Sequence, residues 1–144
     1  MPALYNSDFY GWTQKQAELL RQQKWHLLDL DNLIEEIESL GRQERRELVN
    51  WLSVLLGHLL KWQYQPEQRS NSWMATIREQ RRQANDLLAE NPSLKPQMAE
   101  ILQQAYSNGL DLAVRETNLP YEALPSECPY SLEQILSPDF FSSL

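Results

Sequence analysis

The stretch W51-L-S-V-L-L-G-H-L-L-K-W62 decides the fold. Placed on a helix at about 100° per residue, Trp51, Leu52, Leu55, His58, Leu59 and Trp62, with Leu48 before them, fall on one broad face. Leu56 and Leu60 widen it. Only Asn50, Ser53, Gly57 and Lys61 are left as a narrow polar or small row. A helix apolar over most of its circumference is covered on several sides, so this segment is the central helix of an all-α protein.

The flanking segments supply its cover. Residues 8–24 form a first helix capped by Asp8 or Ser7, with a partial stripe of Phe9, Trp12, Gln16, Leu19 and Leu20. A second helix begins near Asp29, with Leu28 and Leu33 at the staple positions. Its expected buried face is Leu30, Leu33, Ile34, Ile37 and Leu40. Gly41 and the charged GRQERRE leave open whether it runs on into the central helix or stops. Pro66 ends the central helix, and the next starts at Asn71 or Ser72 with Trp73, Ile77, Ala84, Leu87 and Leu88 as its inner stripe. A last long helix begins at Ser93 or Leu94, accepts Pro96 in its first turn, has a soft point at Gly109, and stops at a left-handed Asn118 before Pro120. In the proline-rich tail, Ser131 and Gln134 form a capping box for a short helix, SLEQIL. Short corners favour antiparallel neighbours. The expectation is an up-down helical bundle of four to five helices, one domain over residues 1–144. Its core spans about 8–118, and the 119–144 tail packs back on it.

Composition bounds the function. The chain has 144 residues, 42% hydrophobic and 23% charged, with a net charge of −7, ordinary for a globular protein. An acidic chain repels nucleic acid except at a basic patch. The charge is uneven: residues 58–83 carry Lys61, Arg69, Arg78, Arg81 and Arg82 against Glu67 and Glu79. A single cysteine, Cys128 in SECPYS, excludes an intrachain disulfide and a multi-thiolate metal site, and reads as a loop or packing residue. The N-terminus lacks the pattern of a signal peptide and no window spans a membrane, so the expected compartment is the cytoplasm.

Three groups of residues invite a functional reading. Glu36 and Glu38, with His58, Tyr64 and Arg69, form a candidate polar site for acid–base or metal chemistry. No Glu-x-x-His pair accompanies them, so no metal or cofactor is implied, and a hydrogen-bonded core histidine beside solvated glutamates explains the same residues. Arg78, Arg81 and Arg82 crowd one helix face at mutual cost and call for something acidic opposite: an intramolecular layer, a phosphate or a partner. With Arg69 they form the candidate anion, partner or nucleic-acid surface, against which stands the absence of a nucleic-acid reading motif. The aromatics Tyr5, Phe9, Tyr10, Trp12, Phe140 and Phe141 cover either a neighbouring chain or the bundle's own open end.

The ordered blocks DFYGWTQKQAELLR, LDLDNLIEEIESLGRQERREL, HLLKWQYQPEQRSNSW, TIREQRR, NPSLKPQM and LPSECPYSLEQIL resemble the bacterial, largely cyanobacterial, domain-of-unknown-function family 29 over about residues 5–140. The pieces His58–Trp62, Ser72–Trp73 and Thr76–Arg81 match its pattern. The resemblance implies a small all-helical cytoplasmic domain. It brings no activity, cofactor or substrate, so catalytic residues stay unknown. The leading expectation is an interaction or regulatory module, homo-oligomeric or bound to a protein partner, without nucleic acid or membrane. The alternatives are an enzyme using His58 with Glu36 and Glu38, and a nucleic-acid binder through Arg69, Arg78, Arg81 and Arg82.

Overall fold

The computed structural model describes residues 2–141, and these are helical and free of strands. In chain order come α1 (Pro2–Ser7), α2 (Phe9–Arg21), α3 (Leu30–Tyr64), α4 (Asn71–Glu90), α5 (Met98–Thr117) and α6 (Leu132–Leu136), joined by 3-10 turns. The chain divides into two compact units, Met1–Gln43 and Glu44–Leu144.

The first unit holds α1, α2 and the start of α3. Asp8 caps α2 by accepting from the Gly11 amide at 3.0 Å, which satisfies one orphan donor of the first turn. α1 has no counterpart in the sequence reading. Tyr5 on it packs edge-on against Trp12, with ring centroids 4.8 Å apart, and Phe9 stacks on Trp12 at 5.6 Å. Asp29 ties this layer to the start of α3. It accepts from Trp12 Nε1 at 3.0 Å and from the Asn32 amide side chain at 2.9 Å, and its own amide donates to Gln16 Oε1 at 2.9 Å.

α3 is one helix that runs through Gly41 without a break. A glycine costs only about 1 kcal/mol in a helix, and the surrounding Glu, Gln, Arg and Leu favour continuation. One expectation fails here. Leu30, Ile34, Ile37 and Leu40 are 53–66% exposed instead of buried, and only Leu33 is partly covered. Helical periodicity marks a face that wants cover, but it does not supply a neighbour to cover it.

The second unit carries the main core. Leu48, Leu52, Leu55, Leu56, Leu59, Leu60 and Trp62 of α3 pack with Ile77, Ala84, Leu87 and Leu88 of α4 and Met98, Ile101, Ala105, Tyr106 and Ala113 of α5. α3 and α5 run parallel. Arg45 meets Gln97 and Glu100, Ser53 meets Asn108, and Lys61 meets Glu116, so partner numbers rise together. α4 runs antiparallel to both, its C-cap Asn91 reaching Glu44. The unit is therefore an up-down-up arrangement.

α5 begins later than expected, because residues 92–97 form a 3-10 turn before Met98. Asn118 stops it in the left-handed conformation, φ 61°, as its sequence position suggests. The tail returns as expected: Ser131 and Gln134 make the capping box of α6, Ile135 is fully buried, and α6 packs on α4. Phe140 and Phe141 stack on each other at 4.1 Å and stand edge-on to Tyr130.

Candidate functional site

The narrow row Ser53–Gly57–Lys61 reads in sequence only as a polar or small row on the central helix. In the structure it is the seam between α3 and α5. Ser53 Oγ donates to Val49 O at 2.6 Å and accepts from Asn108 Nδ2 at 3.2 Å. Gly57 and Gly109 then bring the two backbones together. A Cβ on Gly109 would lie 2.9 Å from Gly57 N and from Ser53 O. Gly109 is thus a contact point and not a soft point. One turn further on, Lys61, 4% exposed, donates to Glu116 Oε1 at 2.6 Å, and its Nζ lies 4.5 Å from the centre of the Trp73 ring. The ion pair and the ring face together compensate an ammonium withdrawn from water.

His58 lines the same side. Its Nδ1 lies 2.9 Å from Val54 O. A carbonyl only accepts, so Nδ1 carries the proton and Nε2 is left as the acceptor. Burial pushes the His58 pKa down, while the Val54 carbonyl and Glu116 act against that and Lys61 adds to it. Hydrogen bonding from Lys61 holds the Glu116 carboxyl below its ordinary range. Glu116, half-buried His58 and half-buried Trp73 gather round buried Lys61 as one polar cluster of the second unit. The sequence reading singled out His58 but neither Lys61 nor Glu116. A lysine in phase with a serine and a glycine on an otherwise apolar helix was the available signal.

The other candidates have separate surroundings. Arg69 folds back on the corner: its Nε donates to Trp62 O at 2.8 Å and its guanidinium lies 4.9 Å from the centre of the Trp62 ring. Tyr64 sits with Tyr106 and Tyr130. Tyr106 donates to Pro125 O at 2.6 Å and Tyr130 to Gln63 Oε1 at 2.8 Å. Burial pushes Tyr106 up to about 12 and raises Tyr130 as well. Cys128 Sγ points at Tyr130 O at 3.5 Å, and burial raises its pKa, so it is a packing thiol and not an activated one. In the first unit, Glu36 accepts a hydrogen bond from the Tyr5 hydroxyl, which raises the Tyr5 pKa, and Glu38 is exposed. Among the described residues no group of three His, Cys, Asp or Glu side chains is placed to hold a metal.

The arginines of α4 divide by environment. Arg78 and Arg82 are exposed, whereas Arg81 is 3% exposed. Its Nε donates to Ile135 O at 2.8 Å, joining α4 to α6, and Asn85 beside it donates to Arg81 O and Leu136 O, both at 3.0 Å. Arg81 Nη2 is sealed from solvent without a partner. Arg78, Arg81 and Arg82, with Asn85, Asp86 and Pro138, line a cleft of about 330 Å³. Pairwise spacing had placed all three on one surface, but the returning tail buries the middle one.

The class these features define is a small all-helical protein with a three-helix core, a returning C-terminal helix and an N-terminal helical unit. Its sequence matches the model of the family described as domain of unknown function DUF29 over residues 4–141. The chain belongs to that family. Comparison with curated proteins and with solved structures finds no match. No described helix is long and apolar enough to cross a membrane.

Proposed function

We propose that this protein is a bacterial, cytoplasmic interaction module that pairs with a second copy of itself through the exposed face of α3. The observation that carries the reading is the distribution of exposed apolar side chains. Phe9, Tyr10, Leu20, Trp25, Leu27, Leu30, Ile34, Ile37 and Leu40 all lie in the first unit. Among the described residues, the much longer second unit leaves only Tyr121 and Leu132 exposed among its large hydrophobics. Scattered exposed leucines need no explanation, but a helical stripe of them marks a docking surface.

Charge along α3 favours a second copy as occupant. Asp29, Asp31, Glu35, Glu36 and Glu38 form an acidic run without a base, followed by Arg42, Arg45 and Arg46 with only Glu44 among them. Antiparallel pairing of two such helices sets each acidic run against the other's arginines, as a two-fold interface requires. Arg42 now pairs with Glu35 at 2.9 Å, both about half exposed, and so exposed a pair exchanges partners at little cost. Leu30, Ile34, Ile37 and Leu40 from two copies give eight side chains, roughly 8–14 kcal/mol of gross burial. Association itself costs an estimated 4–15 kcal/mol, so the stripe alone supports a concentration-dependent dimer. Sedimentation of the full chain over a concentration series tests this. A monomer–dimer equilibrium that Ile37→Glu shifts toward monomer, with unchanged helicity, is expected. A monomer at every concentration would defeat the reading.

A further inference from the structure

The cleft beside α4 holds an unresolved electrostatic demand. Arg81 is buried and keeps its charge at any ordinary pH, since a guanidinium does not deprotonate in a protein. Burial alone lowers its pKa, and no acidic group contributes. Only Nε has an acceptor, and Nη2 has none. None of Arg78, Arg81 and Arg82 is ion-paired among the described residues. A withdrawn, unpaired guanidinium is a costly arrangement that an anion relieves.

We propose that this cleft binds a phosphate group, either free or as the monoester of a small molecule. Three guanidiniums against the single carboxylate of Asp86 line the cleft, and even with Glu79 beside Arg78 and Arg82 on the adjoining surface the positive excess suits an anion. Arg78 and Arg82, both exposed, present forks that give phosphate oxygens bidentate hydrogen bonds, while Arg81, whose Nη2 is sealed from solvent, contributes its charge. Asn85 is committed to the backbone of α4 and α6 and holds the wall in place. At about 330 Å³ the cleft exceeds a bare phosphate, given about 30 Å³ for each water displaced, and leaves room for a small organic remainder. The site does not depend on the dimer, since every residue lining it lies on α4 or in the tail of the second unit.

Calorimetric titration of the full chain, at constant ionic strength, tests the assignment with inorganic phosphate, glycerol phosphate and acetate. Saturable one-to-one binding of phosphate or its ester is expected, and tighter binding of the ester identifies the monoester as the source. Arg78→Gln and Arg82→Gln, both at exposed positions, each weaken it by roughly tenfold or more with unchanged circular dichroism. Arg81→Met, which keeps the buried stem, abolishes it. If that variant fails to fold, the two exposed ones decide. Absence of saturable binding to either phosphate, binding indifferent to Arg78→Gln and Arg82→Gln, or equal binding of acetate would overturn the proposal.

Discussion

Replacing Gly109 by alanine isolates what the α3–α5 seam contributes. The added Cβ would stand 2.9 Å from two backbone atoms, Gly57 N and Ser53 O, and 3.1 Å from Leu56 Cβ. Carbon contacts are comfortable at about 3.5–4.0 Å. Backbone cannot rotate out of the way as a side-chain tip can, so the two helices must part. Overpacking of this kind costs about 1–3 kcal/mol, against which alanine returns about 1 kcal/mol of helix propensity. The net expectation is a loss of up to about 2 kcal/mol. Gly41 is the control: the same substitution, also inside a helix, meets nothing within 4 Å and is expected to gain about 0.5–1 kcal/mol. The two variants should differ by about 2–10 °C in Tm for a chain of this size. Urea and thermal unfolding followed by circular dichroism measure both. Gly57→Ala should fall between them, because the first atom it meets is the mobile Leu112 Cδ2. A Gly109→Ala protein as stable as Gly41→Ala would refute the close crossing.

Two further outcomes follow from the polar cluster around Lys61. Glu116→Gln leaves Lys61 withdrawn from water with a weakened partner and should cost about 1–3 kcal/mol. That is less than the about 3–5 kcal/mol of a wholly buried pair, because Glu116 is itself partly exposed to water and screened. The Glu116 carboxyl is held below its ordinary range, so its contribution is present above the unfolded-state value and is lost as pH falls through the folded one. Stability measured against pH should therefore show an acid limb that Glu116→Gln flattens. His58, depressed by burial, should titrate by NMR with a midpoint below the ordinary value of about 6.5. It favours the folded state in its neutral form, and that preference fades as pH drops from the ordinary value toward the folded one. A midpoint at or above the ordinary value would contradict the buried, Val54-bonded placement.

Much of this protein is local, and local physics is legible in a chain. The cap at Asp8, the left-handed stop at Asn118, the capping box at Ser131 and Gln134, and the breaks at Pro66 and Pro120 each arise from a side chain meeting backbone a few residues away. The apolar breadth of residues 51–62 likewise dictates a central helix whatever surrounds it. What packs against what is a different matter. Periodicity alone placed Leu30, Ile34, Ile37 and Leu40 in a core, yet they are exposed, because a periodic stripe does not specify the neighbour that would cover it. Sequence marked Ser53, Gly57 and Lys61 only as a narrow polar or small row, yet they form a helix seam, because Gly109, Asn108 and Glu116 stand opposite them about fifty residues along the chain. The three arginines of α4 looked alike until the tail returned and buried Arg81 under Ile135. Secondary structure and its boundaries follow from interactions a few residues long. The interfaces, the buried charges and the cleft exist only where distant segments meet, and no local pattern encodes which segments those are.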